Sequence, residues 1–152
     1  MRQTFDRRSV LGLAVGSAAG AVLVSSARPT YASGTAYKAA LSGTTEVPPT
    51  TSTGKGTATV TYDAGTKMVT WQGDFSGLSG PATAAHIHCG AAAGANAGVA
   101  VPLGAGPTAA SPMQGSGAMT DAQLADLAAG KCYINVHTDA NKGGELRGQL
   151  AP

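Results

Sequence analysis

The sequence predicts an all-β domain, a sandwich or a barrel, that follows an N-terminal export signal. Short segments in which β-branched or small residues alternate with polar ones are separated by turns that contain Gly or Pro. The clearest pair is residues 55–62 and 67–72, which the turn Asp63-Ala64-Gly65-Thr66 joins as a hairpin. The other expected strands are residues 37–41, 84–89, 99–103, 131–138 and 145–150.

One short helix is expected between these strands. Thr120 and Gln123 have the spacing of a capping box, in which each side chain bonds to the backbone N–H of the other residue. Leu124 and Leu127 form an apolar stripe, and Gly130 suits the left-handed position that ends a helix. A helix of about nine residues is too short to be stable alone, so it must pack on the sheets.

Residues 1–32 have the features of an export signal. Arg7-Arg8 precedes an apolar run over residues 10–24, and Thr30-Tyr31-Ala32 offers a small-residue cleavage site. The arginine pair favours the twin-arginine route, with general secretion as the alternative. The run is shorter than the ~20 strongly apolar residues of a membrane span. We therefore expect a mature domain over residues 33–152, periplasmic or secreted, that does not insert into a membrane.

The charge of this mature domain argues against a nucleic-acid partner. The whole chain has ten Lys and Arg and eight Asp and Glu residues. Four of the basic residues and one acidic residue lie in the signal segment, which leaves the mature domain with a net charge of −1. A near-neutral domain has no basic surface with which to attract phosphates.

The two cysteines, Cys89 and Cys132, predict a disulfide, because an even number of cysteines in an exported protein is usually paired. Two buried free thiols are the alternative. Both cysteines fall on the apolar faces of their predicted strands, which is compatible with a bridge in the core.

The three histidines lie on polar strand faces. Side chains two residues apart in a strand share a face, so His86 and His88 point the same way, opposite Ile87 and Cys89. His137 lies on the face opposite Cys132, Ile134 and Val136. This polar row contains Tyr133, Asn135, His137, Glu145, Arg147 and Gln149. If residues 131–138 and 145–150 pair as a hairpin, residues opposite one another must lie on the same face, so their residue numbers sum to an even number. His137 can then lie opposite Glu145 or Arg147, for example.

This placement suggests a metal site of His86, His88 and His137. Two histidines at i and i+2 lie about 6.5–7 Å apart along a strand, so their rings can converge on one ion. Imidazole suits copper, and also zinc. The alternative is that the histidines serve only in surface hydrogen bonds.

Glu46 is expected to be a solvated carboxylate in a turn, or alternatively an acceptor for a histidine N–H. Arg147 is expected to pair with Glu145 or Asp139 or to brace the hairpin, with guidance of anions into the site as the alternative. Four polar residues are thus candidates for the surroundings of the ligands. These residues are Glu46, Asn135, Glu145 and Arg147.

Four segments of the chain resemble the CHRD (chordin-repeat) family. They are Leu41-Ser42-Gly43-Thr44-Thr45-Glu46-Val47-Pro48-Pro49, Ala85-His86-Ile87-His88, Tyr133-Ile134-Asn135-Val136-His137-Thr138 and Gly144-Glu145-Leu146-Arg147-Gly148-Gln149-Leu150. The resemblance covers about residues 36–151 and implies an Ig-like or Greek-key β-sandwich.

A weaker resemblance is to copper/zinc superoxide dismutase, which also has a His-x-His strand, a later His and an Arg near the copper. The matching positions are His86, His88, His137 and Arg147. The fourth copper histidine and the zinc ligands have no counterpart. The sequence therefore favours an exported protein with a mononuclear copper site. The alternatives are a metal-free interaction or adhesion module and a copper-only dismutase-like enzyme, and the sequence identifies no protein partner.

Overall fold

The computed structural model describes residues 34–152, which form eight antiparallel strands and one short α-helix. The strands are β1 (Thr35–Ser42), β2 (Lys55–Asp63), β3 (Met68–Ser76), β4 (Ala82–Cys89), β5 (Val99–Ala105), β6 (Met113–Ala118), β7 (Cys132–Thr138) and β8 (Leu146–Gln149), and the helix is α1 (Asp121–Ala128). The predicted all-β fold is confirmed. The signal segment predicted for residues 1–32 lies outside the described residues.

The strands form one antiparallel sheet in the order β5-β4-β7-β8-β1-β2-β3-β6, which folds over at the β8–β1 pair into two four-stranded layers. The layers are joined where β1 meets β8, through the pair Ser42–Arg147 and a bridge between Lys38 and Ala151. At the other end β5 packs against β6. A Cβ added to Gly117 would lie 3.1 Å from Val101 Cγ1. The sandwich is therefore nearly closed, with β5 and β6 in contact but not paired as strands.

Alternating side chains of both layers form the core. In β2, for example, Ala58 and Val60 are buried while their neighbours are not. Trp71 of β3 lies at the centre, and a Cβ on Gly115 of β6 would be 2.5 Å from its ring. The largest fully buried apolar side chains are Leu41, Ile87, Met113, Leu127, Ile134, Leu146 and Leu150.

Most of the expected elements are present. The turn between β2 and β3 is held by Asp63 Oδ1, which accepts bonds from the N–H groups of Gly65 and Thr66. The capping box of α1 is formed in both directions by Thr120 and Gln123. Strand β6 and the 3-10 turns at Gly43–Thr45 and Gly106–Ala109 were not predicted. Within residues 34–152, no helix is long and apolar enough to span a bilayer.

The predicted disulfide between Cys89 and Cys132 is present. The two residues are direct neighbours on β4 and β7. The same register places His88 opposite Tyr133 and His86 opposite Asn135. The bridge is therefore adjacent, in the sheet, to the pair formed by His88 and Tyr133.

Strand β7 is buried on both faces, so the polar row that strand parity predicts is covered, which the sequence does not indicate. Tyr133 and Asn135 are only 3% and 2% exposed, and Arg147 on β8 is 2% exposed. The polar face is covered by two loops, residues 43–50 and 90–98, whose contacts with it are described below. Covering the row turns a surface of polar side chains into an enclosed polar cluster.

Candidate metal centre

The three histidines converge on the covered face of the β4–β7 pair. His86 and His88 lie two residues apart on β4, and His137 lies on β7, where it pairs with Ala84. The pairing of β4 with β5 shifts register next to both histidines of β4, a distortion that often re-aims side chains near functional sites. One ring nitrogen from each histidine lies within 4.8 Å of the others.

Two of the rings are oriented by backbone carbonyls. His88 Nδ1 lies 3.0 Å from Ala97 O, and His137 Nδ1 lies 3.0 Å from Lys142 O. A carbonyl only accepts hydrogen bonds, so the Nδ1 atom of each ring carries the proton. The Nε2 atoms of His88 and His137 are then lone-pair donors, as metal coordination requires.

The facing nitrogens are placed for an ion. His86 Nδ1 donates to His137 Nε2 at 3.1 Å, a hydrogen bond that a bound ion would replace, while His88 Nε2 is buried without a hydrogen-bond partner among the described residues. Nitrogens bound to one ion at about 2.0 Å are at most ~4.0 Å apart, so a pair separated by the full 4.8 Å must approach by at least about 0.8 Å on binding. A buried orphaned nitrogen costs free energy that a bound ion would recover. The donor set therefore fits a metal.

The surroundings keep the three rings neutral. Burial lowers the pKa of His86, and the neighbouring His137 and His88 lower it further. Burial also lowers the pKa of His88 and that of His137, although their carbonyl bonds oppose the shift. Because neutral imidazole is the form that binds metals, these shifts favour coordination at neutral pH.

Tyr133 and Arg147 hold His88 from one side. The Tyr133 ring stacks on His88 with the centroids 4.8 Å apart and the planes at 3°. The Arg147 guanidinium lies 3.5 Å from the Tyr133 ring centroid, a cation–π contact. His88, Tyr133 and Arg147 thus form a stack that fixes one ligand.

The loop of residues 95–97 closes over this stack. Ala97 N–H donates to Tyr133 Oη at 3.1 Å. Arg147 donates to Asn96 Oδ1 at 3.0 Å and to Ala95 O at 2.5 Å. This role could not be predicted from the sequence, because the segment contributes mainly backbone atoms that any residue possesses.

Glu46 and Asn135 form a second buried pair beside the histidines. Asn135 Nδ2 donates to Glu46 Oε1 at 2.5 Å and to Leu146 O at 3.3 Å. Burial raises the pKa of Glu46, although the bond from Asn135 and the charge of Arg147 oppose the rise. The carboxylate of Glu46 therefore accepts a hydrogen bond from Asn135 and not from a histidine. Asn135 lies directly opposite His86 in the sheet.

Glu145 does not lie in the polar row with His137. Its carboxylate accepts bonds from Ser52, Ser79, Thr138 and Asn141, and Thr138 points to the face opposite His137. The reason is local: β8 begins only at Leu146, and Gly144 has a φ of 133°, so strand alternation does not extend to residue 145.

Arg147 also differs from one expectation. The sequence predicts an ion pair with Glu145 or Asp139, or a brace for the hairpin. The guanidinium instead bonds to Ala95 and Asn96 and stacks on Tyr133. Its position in the polar row, opposite Asn135 on β7, is as the parity rule predicts.

Comparison with known proteins identifies one relationship. The family model of the CHRD domain matches residues 37–150. No curated protein and no solved structure matches the chain. The resemblance to the copper site of copper/zinc superoxide dismutase receives no support from these comparisons.

Proposed function

The chain belongs to the CHRD domain family, and we propose that it is an exported protein that binds one copper ion through His86, His88 and His137. Its role would be the storage or transfer of copper in the bacterial cell envelope, or protection against it. The observation that carries the proposal is the buried Nε2 of His88, which has no partner in the described part of the chain although it lies beside two other imidazoles.

We favour copper over other metal ions because of the chemistry of the three ligand nitrogens. Three neutral imidazoles form a nitrogen-only set, and copper binds such sites more tightly than the other divalent first-row metals do. Asn135, Glu46 and the carbonyls of Ala97 and Lys142 would orient the site, since partners of this kind set the tautomer and direction of metal-binding histidines. Zinc, which also accepts three histidines, is the competing ion.

An envelope location agrees with two features. The Cys89–Cys132 disulfide requires an oxidising compartment, as found outside the cytoplasm. The predicted signal over residues 1–32, with its Arg7-Arg8 pair, supplies an export route. Mass analysis of the exported protein would test cleavage after Ala32.

The test is a titration of the mature protein with Cu(I), Cu(II) and Zn(II). We expect one equivalent of copper to bind with submicromolar affinity, and His86→Ala to lose that affinity. Gln72→Ala, an exposed change in the other layer, is the matched control and should bind as the wild type does. If none of the three ions binds, the proposal is wrong.

A metal-free interaction module is the second candidate. An apolar cavity of about 660 Å³ lies at the end of β3, away from the histidines, and Phe75, Leu78 and Pro81 are among the residues that line it. This function would be supported if the titration showed no metal. The copper-loaded protein should also be assayed for superoxide dismutation, which tests the enzyme alternative.

A further inference from the structure

We propose that an ion held by His86, His88 and His137 keeps one coordination position open to solvent, and that this position binds a small anion. The inference rests on the proposed function, since it concerns the same three histidines. It holds for copper and for zinc alike, because Cu(II) and Zn(II) both take more than three ligands. Three observations carry it: the number of protein ligands, the side on which the cluster is exposed, and the residues that border that side.

The cluster provides three ligand atoms. Among residues 34–152, the His, Cys, Asp and Glu side chains that converge closely enough to hold one ion are the three histidines. Two carboxylates are near the cluster without belonging to it: Glu46 is bonded to Asn135, and Asp139 is exposed in the turn that follows β7. Zn(II) with three protein ligands completes its tetrahedron with water or substrate, and Cu(II) takes at least as many ligands.

One side of the cluster is closed. His88 is 9% exposed, and its Nε2 is buried. The Tyr133 ring stacks on His88 with the centroids 4.8 Å apart. Ala97 contacts both residues, through its carbonyl to His88 and through its N–H to Tyr133. A ligand from solvent therefore cannot approach the ion from the side of His88.

The opposite side of the cluster is open. His86 and His137 are only half-buried, although their strand neighbours Ile87 and Val136 are completely buried. The residue that contacts His137 from the next turn, Lys142, is itself exposed and bonds to the ring through its backbone carbonyl. The edge formed by these two histidines is therefore where a ligand from solvent can reach the shared ion.

The residues that border this edge carry no ligand group. Ala84 lies two residues before His86 on β4 and directly opposite His137 on β7. Pro102 of β5 lies opposite His86 and is exposed. Opposed residues share a face, with their Cβ atoms about 4.5–5.5 Å apart. Ala84 and Pro102 thus lie beside the open position, but an alanine methyl group and a proline ring cannot coordinate the ion.

The ligand expected at this position is a small anion. Each histidine binds a metal as a neutral imidazole, so the three ligands leave the charge of the ion uncompensated within its own coordination shell. The Glu46 carboxylate offsets that charge only from outside the shell, because Asn135 holds it. An anion bound directly to the ion offsets the charge at the shortest distance. A single open position calls for a monodentate anion, for which azide is the probe.

The experiment loads the mature protein with one equivalent of Cu(II), or with Co(II) as a coloured substitute if the protein prefers Zn(II), and titrates it with azide. We expect changes in the absorption and electron paramagnetic resonance spectra that saturate at one azide per ion. Ala84→Leu should lower azide affinity by about tenfold by crowding the open position, while the metal affinity is kept. Ala36→Leu, the same change at an exposed site of β1, is the control and should bind azide as the wild type does.

A second variant guards against loss of the metal in Ala84→Leu. Pro102→His adds an imidazole opposite His86, so it should fill the open position and abolish azide binding while the ion stays bound. Circular dichroism establishes folding, and if Ala84→Leu loses the metal, Pro102→His decides the location.

The outcomes separate the two levels of the proposal. A metal-loaded wild type whose spectra do not respond to azide would overturn the open position. Wild-type azide affinity in the deciding variant, folded and metal-loaded, would show that the anion does not bind at the edge formed by His86 and His137. If neither copper nor zinc binds at all, the proposed function itself is refuted, and the anion site falls with it.

Discussion

Two polar clusters lie on opposite faces of β7, and consecutive residues of that strand point into them. His137 faces His86 and His88, whereas the next residue, Thr138, faces the carboxylate of Glu145. Both clusters are partly or fully removed from solvent and both contain titratable groups. They differ in whether their polar atoms have partners.

The Glu145 cluster is saturated. Its two carboxylate oxygens accept from the hydroxyls of Ser52, Ser79 and Thr138, from the Ser79 N–H and from the Asn141 amide. The histidine cluster has an orphaned buried nitrogen on His88. A saturated buried charge needs no further partner, whereas an unsatisfied nitrogen with a free lone pair, beside two other imidazoles, is the arrangement that a metal ion would complete. The first cluster is structural, and the second is the candidate site.

The largest expected effect is on metal binding when a ligand is removed. His137→Ala should lower copper affinity by more than about 100-fold, because loss of a ligand exceeds the 10–100-fold effect of losing a supporting partner. Isothermal titration calorimetry measures the change, with Asp74→Asn on the exposed side of β3 as the control. Retention of wild-type affinity would exclude His137 from the site.

The saturated cluster should respond in the opposite way. Glu145→Gln keeps the size of the side chain but replaces an acceptor by an amide and leaves buried hydroxyls without partners, so we expect it to lower the free energy of unfolding by about 1–3 kcal/mol. Copper affinity should change little, since the cluster lies on the other face of β7. Urea denaturation of the variant measures its free energy of unfolding, and a copper titration of the same variant measures its copper affinity. A loss of copper affinity without a loss of stability would reverse the assignment of the clusters.

Acid should remove the contribution of Glu145. Burial raises the pKa of its carboxyl, but the hydrogen bonds from Ser79, Thr138 and Ser52 outweigh burial and lower the pKa to about 2. A group whose pKa is lower in the folded state stabilises the fold above its unfolded pKa, about 4.3 for Glu, and loses that effect as the pH falls toward 2.

The wild type should therefore lose stability between about pH 5 and pH 2, and Glu145→Gln should lose less over the same range. Asp63→Asn is the comparison variant: the pKa of Asp63 is also lowered, by bonds from Thr66 and Gly65, but at an exposed turn, so it should alter the pH dependence less than Glu145→Gln does. Denaturant midpoints measured at several pH values give the comparison. Parallel curves for wild type and Glu145→Gln would contradict the role of this carboxylate.

Strand parity explains how much of the site could be predicted. Alternation is a local property, so it places His86, His88 and His137 on one kind of face without knowledge of the fold. It fails at Glu145 because the strand begins one residue later. Strand parity also cannot predict which loop covers this face, since Ala95, Asn96 and Ala97 act through long-range contacts, mostly of backbone atoms.

The missed strand has a different cause. Strand β6 has the sequence Met-Gln-Gly-Ser-Gly-Ala, which lacks the β-branched and aromatic residues typical of strands. Its glycines are required by tertiary packing: a Cβ at Gly115 would collide with Trp71, and one at Gly117 would press on Val101. Gly115 and Gly117 are therefore determined by partners in β3 and β5, which the local sequence does not show.

The smallest expected effect concerns the disulfide. Cys89 and Cys132 are paired directly beside His88 and Tyr133, so the bridge ties the two strands together at the stacked ligand. Without it, the ends of β4 and β7 can separate and His88 can lose its fixed position over Tyr133. We predict that Cys132→Ser weakens copper binding by about tenfold, the lower end of the effect of losing a supporting contact, and by less than His137→Ala does.

The single variant leaves Cys89 as a free thiol, which itself binds copper. The double variant Cys89→Ser/Cys132→Ser removes this complication and is the one to compare with the wild type. Closing a loop with a sequence separation of 43 contributes about 3–4 kcal/mol of stability in the chain-entropy treatment, so the titration must be done well below the lowered melting temperature. A folded double variant with wild-type copper affinity would show that the bridge stabilises the sandwich but does not organise the site. A weakened but measurable affinity would show that it does both, because no ligand has been removed.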